Sequence, residues 1–370
     1  TPEEEIGEMM RRVISHEIGH ALGLPHNMKA SSAYAVDSLR SGKFTQKFGI
    51  ATSIMDYARY NYVAQPGDQN IRFVRQLGPY DDYSIEWGYR YFGESPEKEM
   101  KILKTMVDSK SIDPIYMFGG YGNDPNSQTE NIGNDPVRAS FYGIKNLKIV
   151  AKNLMNWTLK PSDNYDDLNE IYGELISVYR RYVYHVHNLV GGVYKTPHNS
   201  NQKGITTYFN VGVSNQKEAL IFLEENLWNT QKWLMNKDLV SQIKEEGVLN
   251  SIQDLQIRAL NKFLNVKKLN TLMSTQASLK GNGLSVKELV DNLFEVLIDK
   301  PAKPDLFEQR LQLHFAEKIN SLMNEKELNS TIKGLLLDSK NTLHSLSKRR
   351  FMFSKGERKV HFGYLKTLSE

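Results

Sequence analysis

The sequence predicts a mainly α-helical protein with a cluster of histidines close to its first residue. Three observations favour this fold class: apolar residues recur at helical spacing over most of the chain, strand-like runs are few, and two histidines stand four positions apart in the first helix. The chain has 370 residues, of which 40% are hydrophobic and 24% are charged, as in globular proteins. This length and composition predict a folded protein of two or three domains.

Composition argues against several classes of function. Lys+Arg 47 and Asp+Glu 43 leave a net charge of +4, which is too balanced to predict a nucleic-acid partner. No apolar run approaches the roughly 18 residues that a transmembrane helix needs. The chain contains 0 Cys, which excludes disulfides, cysteine-ligated zinc and thiol nucleophiles. A cysteine-free chain of this length is typical of exported bacterial proteins.

The first predicted helix begins at the start of the chain and ends near Leu22. Thr1 would be its N-cap, Pro2 its first helical residue, and Glu4 would complete a capping box. Gly23 is a natural residue to follow its last turn. A charged amino terminus would oppose the dipole of this helix, so we expect the chain to be cut from a longer one, with any export signal upstream.

The remaining elements are mostly helices separated by turn-rich loops. Helices are predicted over residues 81–91, 97–107, 137–159, 166–190 and most of 214–346, with breaks near Gly247, 281–283 and 301–304. Strand-like runs at residues 193–194 and 205–211 predict one small β-hairpin. Between helices, residues 113–136 are dense in Gly, Asn, Asp and Pro and predict a long polar loop.

One motif carries chemistry: residues 16–26 read HEIGHALGLPH. His16 and His20, at positions i and i+4, project from one helix face and can share a metal ion. Glu17 can hydrogen-bond a metal-bound water without coordinating the metal. Gly23 ends the helix where a positive φ is easiest, and the chain then returns with His26 as a third ligand. Three imidazoles leave a fourth position open, which indicates a catalytic zinc site and not a structural one.

The pattern HExxHxxGxxH, followed by SIMDY at residues 53–57, resembles the signature of the metzincin clan of zinc peptidases. The wider set HEIGHALGLPHNMKAS, SIMDY and LGPYDDYSIEWGYR resembles the Met-zincins, a bacterial family of large exported zinc-dependent metalloproteases. The resemblance implies that residues 1–95 form a metzincin-like subdomain with an active-site helix, a Met-turn and a C-terminal helix. Residues 96–370 would then form a mostly helical C-terminal domain that carries the hairpin.

The resemblance also implies a mechanism. One zinc ion would be held by three histidines, which are His16, His20 and His26. Glu17 would take a proton from the attacking water and deliver it to the leaving amine of a polypeptide substrate. Tyr57 would donate a hydrogen bond to the oxyanion. Met55 would form an apolar floor beneath the histidines, and Gly23 would support the turn that follows them.

One departure from the clan leaves an alternative open. Metzincins carry a twisted sheet upstream of the zinc helix, and its edge strand pairs with the substrate. Only fifteen residues precede His16, so we expect an upstream portion of the same parent chain to complete the site. The alternative is a zinc-binding helical scaffold fragment that is inactive without that sheet. A zinc hydrolase acting on another bond is a third and poorer reading.

Three lesser signals receive ordinary interpretations. His185 and His187 stand two positions apart, so they face different sides of a helix and are predicted to be core or surface residues. The oxygen-rich stretch from Asp124 to Asp135 could bind calcium, but it lacks the spacing of an EF-hand, and a polar loop is favoured. The basic run at residues 348–359 is interpreted as a solvated tail, with an acidic partner or a membrane surface as the alternative.

Overall fold

A computed structural model describes residues 3–159, 164–243, 245–280 and 282–370. Over these residues the chain forms fourteen α-helices and one two-stranded antiparallel sheet, which confirms the predicted mainly α fold with one small hairpin. The first five helices are α1 Glu3–Ala21, α2 Gly42–Phe48, α3 Pro79–Tyr89, α4 Pro96–Lys110 and α5 Pro136–Thr158. The other nine are α6 Asp166–His187, α7 Val213–Leu223, α8 Lys237–Val240, α9 Glu245–Phe263, α10 Val266–Ser278, α11 Val286–Phe294, α12 Leu306–Met323, α13 Ser330–Phe353 and α14 Glu357–Leu368.

The chain divides into two compact units. The first comprises residues 1–149 and 192–211, and the second comprises residues 150–191 and 212–370. The predicted division between residues 95 and 96 falls inside the first unit and stays a prediction. None of the helices in the described part of the chain combines the length and the apolarity that a bilayer crossing needs.

In the first unit, the segment between α1 and α3 is mostly loop, yet many of its side chains are buried. Its apolar side chains supply a core of which several members are at most 2% exposed: Met28, Leu39, Ile50, Ile54 and Met55. Backbone hydrogen bonds join distant loops, as from the Thr52 N–H to the Ala30 carbonyl at 3.1 Å. A buried loop must satisfy its own backbone polar groups, and this segment does so without a sheet.

The hairpin of the first unit lies where the strand-like runs predict it. Its strands are β1 Val193–Lys195 and β2 Tyr208–Asn210, paired antiparallel with Tyr194 opposite Phe209. The two rings are 5.1 Å apart between centroids, a cross-strand aromatic pair that stabilises a sheet this short.

The second unit is built from amphipathic helices with clear start signals. A capping box begins α11, where Ser285 accepts from the Glu288 N–H and the Glu288 carboxylate accepts from the Ser285 N–H. The buried amides of Gln256 and Gln312 donate to carbonyls of two short π-helical segments, at Leu227 and Leu297 respectively. These bonds satisfy polar groups that would otherwise be costly in a helical core.

The structure tests three further predictions, which concern helix breaks, helix caps and the basic run. The predicted break near Gly247 falls just before it: α8 ends at Val240 and α9 begins at Glu245, so Gly247 lies in the first turn of α9. The basic run at residues 348–359 is mostly helical, on α13 and α14, and not a tail. Its basic side chains are solvated as predicted except that of Arg350, which is half-buried and donates to the carbonyls of Ile298 and Asp299. The predicted break at residues 281–283 is confirmed, because residues 282–283 lie between α10 and α11. Residue 281 itself and the predicted caps at residues 1 and 2 lie outside the described residues.

Candidate metal centre

Helix α1 holds the first two histidines of the motif with their rings already oriented. His16 is buried and its Nδ1 donates to the Ile54 carbonyl at 2.9 Å. The Nδ1 of His20 donates to the Leu24 carbonyl, also at 2.9 Å. Because each Nδ1 carries the proton, each Nε2 is left with a lone pair that is available to a metal.

A Schellman turn ends α1 and returns the chain toward His20. The Leu24 N–H bonds the Gly19 carbonyl at 3.0 Å and the Gly23 N–H bonds the His20 carbonyl at 2.9 Å. Gly23 has a φ of +83°, which confirms the predicted positive φ at this position. The turn brings His26 back to His20, and their Nε2 atoms are 2.9 Å apart.

The three histidines fit a divalent transition metal. One ring nitrogen from each of His16, His20 and His26 lies within 4.8 Å of the others. A tetrahedral zinc with Zn–N bonds near 2.0–2.1 Å needs nitrogen separations of about 3.3 Å, so small rotations of the rings suffice. Burial lowers the pKa of His16 and of His26, which favours the neutral form that binds metal. Among the described residues this is the one group with the composition and spacing of a metal site.

Met55 packs directly beneath the histidine pair. Its side chain is fully buried, and a Cβ added to Gly19 would come within 2.3 Å of the Met55 sulfur. Gly19 stands between the two histidines of α1, and only a residue without a side chain leaves room for the thioether there. The placement of Met55 therefore depends on the glycine inside the histidine motif.

Two buried carboxylates hold the turn that carries Met55. Asp81 on α3 accepts from the Ile54 N–H at 2.8 Å and from the Ser53 hydroxyl at 2.5 Å. Asp56 is fully buried and accepts from the N–H groups of Ser31 and Ala58, each at 2.8 Å. Burial raises the pKa of Asp56 to about 6. The Ile54 carbonyl also accepts from His16, so Asp81 and His16 bond the two backbone polar groups of the same residue.

Tyr57 lies beside two of the histidines, and Glu17 follows His16 on α1. The ring of Tyr57 is 4.3 Å from that of His26 and 5.6 Å from that of His16, between centroids. Glu17 is exposed, and its charge acts on both His16 and His26. The structure thus brings Tyr57 and Met55 to the three histidines, and it places Glu17 on α1 next to His16 in the sequence.

Sequence reasoning missed one aromatic residue at this centre. Tyr121 lies in the predicted polar loop, and its ring centroid is 5.8 Å from that of His26. Burial, and then a hydrogen bond with Tyr57, raise the pKa of Tyr121 to about 12. The run Gly119-Gly120-Tyr121-Gly122 was the available signal, because glycines let a backbone approach a site closely.

The oxygen-rich loop around Asp124 is occupied by an internal cation. The Lys29 ammonium and an Asp124 carboxylate oxygen are 2.5 Å apart, and both side chains are mostly buried. The same carboxylate accepts from the Lys195 N–H at 3.0 Å. These contacts use Asp124 as the partner of a lysine, which favours the polar-loop interpretation over calcium binding.

The site is a metal centre of the metallopeptidase type. It consists of a helix with two histidines, a third histidine beyond a glycine turn, and a methionine beneath them. The Met-zincin family model matches residues 1–305, and the chain belongs to this family. Membership supports a zinc-dependent metallopeptidase with a polypeptide substrate. No curated protein and no solved structure matches the chain significantly.

Proposed function

We propose that the chain hydrolyses peptide bonds at a zinc ion held by His16, His20 and His26, with Glu17 as the general base. The observation that carries this proposal is the convergence of three imidazole nitrogens beside an exposed carboxylate. Membership of the Met-zincin family supports the same class of reaction.

The roles follow from position. Zinc at this site would supply Lewis acidity and would lower the pKa of a water molecule to about 7. Glu17 would accept a proton from the attacking water and pass it to the leaving amine. The phenol of Tyr57 would donate a hydrogen bond to the carbonyl oxygen as negative charge develops there. Met55 and Gly23 would keep the imidazoles in place.

We also propose that a further segment of the parent polypeptide covers the outer face of α1. Four apolar side chains at i, i+4, i+7 and i+8 are 46% to 59% exposed: Ile6, Met10, Val13 and Ile14. A stripe of this kind normally faces a core. The metzincin resemblance implies a sheet as its cover, and that sheet would also align the substrate.

Membership of the family also supports export, and we propose that the protein acts outside the cytoplasm. Fractionation of the native cells tests this directly. Recovery of the protein in the cytoplasmic fraction alone would contradict it.

The decisive variant is Glu17→Gln, with Glu5→Gln as a control because Glu5 is also an exposed glutamate of α1. Glu17→Gln is expected to lower casein or peptide hydrolysis by about 10²–10⁴-fold while zinc content stays unchanged. Glu5→Gln is expected to keep full activity. Wild-type turnover by Glu17→Gln would place the general base elsewhere.

The same assay on a chain extended upstream separates the two candidate functions. Activity in the extended chain alone supports the covering segment and leaves this fragment as a zinc-binding helical scaffold. Zinc binding without hydrolysis in either form would favour the scaffold function for the protein as a whole.

A further inference from the structure

Tyr121 lies at the metal centre, although it stands far from the histidine motif in the sequence. Its ring meets that of His26 edge-on, with centroids 5.8 Å apart and planes at 80°. It meets the ring of Tyr57 at 6.1 Å and 69°. The rings of Tyr57, Tyr121 and His26 thus form one aromatic cluster on the His26 side of the site.

A buried side chain next to His26 anchors the segment that carries Tyr121. Asn27 is fully buried, and its amide nitrogen donates to the Met117 carbonyl at 3.0 Å. Its amide oxygen accepts from the Gly119 N–H at 3.0 Å. The Met28 N–H donates to the Gly119 carbonyl at 2.7 Å. The backbone two residues before Tyr121 is therefore tied to the residue directly after His26.

A second anchor holds the other side of Tyr121. Asp124 lies three residues after Tyr121 and forms an ion pair with Lys29. The side chains of Lys29 and Asp124 are only 7% and 12% exposed. The Lys29 ammonium also donates to the Lys195 carbonyl at 2.6 Å, so the pair is fixed to the hairpin of the same unit. A buried ion pair with added hydrogen bonds defines one geometry well.

The two anchors give an exposed side chain a fixed place. Tyr121 is 61% exposed, and an exposed tyrosine ordinarily samples several rotamers. Here the backbone is held at Gly119, the Asp124 side chain is held by Lys29, and the Tyr121 phenol lies against Tyr57, with ring centroids 6.1 Å apart. A contact made from a restrained backbone orders its partner at little entropic cost.

We propose that Tyr121 is a positioning residue that fixes the Tyr57 phenol beside His26 for peptide hydrolysis. This inference rests on the proposed function, because the benefit lies in presenting Tyr57 to the carbonyl oxygen of the substrate. A donor held in place needs no reorganisation when charge develops. Removing the Tyr121 hydroxyl should then weaken turnover and not substrate binding.

The test uses Tyr121→Phe, with Tyr208→Phe as the matched control, since Tyr208 of β2 is also 61% exposed. Fluorine NMR of 3-fluorotyrosine placed at position 57 in the metal-free chain reports the surroundings of Tyr57 without any need for turnover. We expect its resonance to shift or broaden in Tyr121→Phe and to stay unchanged in Tyr208→Phe.

Kinetics of the zinc-loaded chain, extended upstream if activity needs it, give the second readout. Tyr121→Phe should lower kcat roughly tenfold and leave KM within about twofold. Tyr57→Phe should then have little further effect in the Tyr121→Phe background. An unchanged fluorine resonance in Tyr121→Phe, or an unchanged kcat in an active chain, overturns the proposal. If the resonance responds but no form of the chain hydrolyses peptides, Tyr121 still positions Tyr57 and the proposed function is what fails.

Discussion

The two units of the molecule both bury histidines, but they use them differently. In the first unit, three rings turn their Nε2 atoms toward one point, because backbone carbonyls already hold the Nδ1 atoms of His16 and His20. In the second unit, two buried rings each bond a single partner and not one another. His187 bonds the Ala259 carbonyl at 3.0 Å, and His361 bonds the Gln312 side chain at 2.8 Å.

This difference shows what does not mark a metal site. Burial lowers the pKa of His187 to about 3 and that of His361 to about 4, and it lowers the pKa of His16 as well. Burial and a depressed pKa are thus common to both units. Among the described residues, the first unit alone brings three histidine ring nitrogens within 4.8 Å of one another, and that arrangement is the one that a metal can use.

The largest expected effect is the loss of hydrogen-exchange protection when zinc is removed. We expect this loss in the first unit and not in the second. A ligand that binds the folded state stabilises it by about 4 kcal/mol at a thousandfold excess over its Kd. Chelation is therefore expected to loosen residues 22–57 and to leave α6 and α9–α13 protected. Hydrogen exchange with and without a chelator measures both. Uniform loss of protection across residues 137–346, or no change around His26 and Met55, would contradict the comparison.

The next largest effect, a loss of stability, is expected from a methyl group added inside the histidine motif. In Gly19→Ala the new Cβ would come within 2.3 Å of the Met55 sulfur, and such overpacking costs about 2 kcal/mol. We expect weaker zinc binding as well, measured by competition with a chelator. Gly7→Ala on the same helix meets nothing within 4 Å and should be neutral or slightly stabilising. Equal stability and equal zinc binding in the two variants would show that Met55 does not support the site.

A smaller effect of pH should appear in the second unit. Unfolded His187 takes up a proton near pH 6.5, whereas folded His187, whose pKa is about 3, stays neutral. The contribution of neutral His187 to the free energy of unfolding is complete above pH 6.5 and is lost as pH falls toward 3. About 1.4 kcal/mol of it is lost at pH 5.5. Nearby Lys262 and Lys268 further oppose its protonation.

Hydrogen exchange of α6 and α9 at pH 7 and at pH 5.5 measures this loss. The variant His187→Asn should show a flatter dependence, because its amide can still donate to Ala259 but does not titrate in this range. A slope equal to that of wild type would assign the titration to another group.

Much of the site could be predicted because it is local. The histidines, Glu17 and Gly23 lie within eleven consecutive residues, and helical spacing alone fixes which side chains share a face. The end of α1 and the start of α6 followed from the same periodicity and from turn residues, whereas α6 ends three residues before the predicted limit at residue 190. Met55 and Tyr57 needed the resemblance to metzincins, because nothing in their own spacing aims them at His16.

The remaining residues depend on contacts between distant segments. Asn27 reaches Met117 across 90 positions, and Lys29 reaches Asp124 across 95. No periodicity or motif pairs an amide or an ammonium with a partner that far along the chain. Asp81 illustrates the same limit: it stands at the start of the helix predicted over residues 81–91, but its carboxylate also bonds the Ile54 N–H in the turn that carries Met55.

Zinc content tests the central claim most directly. After dialysis against trace zinc, the wild-type chain should hold about one zinc ion, as one three-histidine site predicts. Each of His16→Ala, His20→Ala and His26→Ala should lose it, whereas His187→Asn combined with His361→Gln should keep it. Retention of zinc by His20→Ala, or its loss from the double variant of the second unit, would contradict the account.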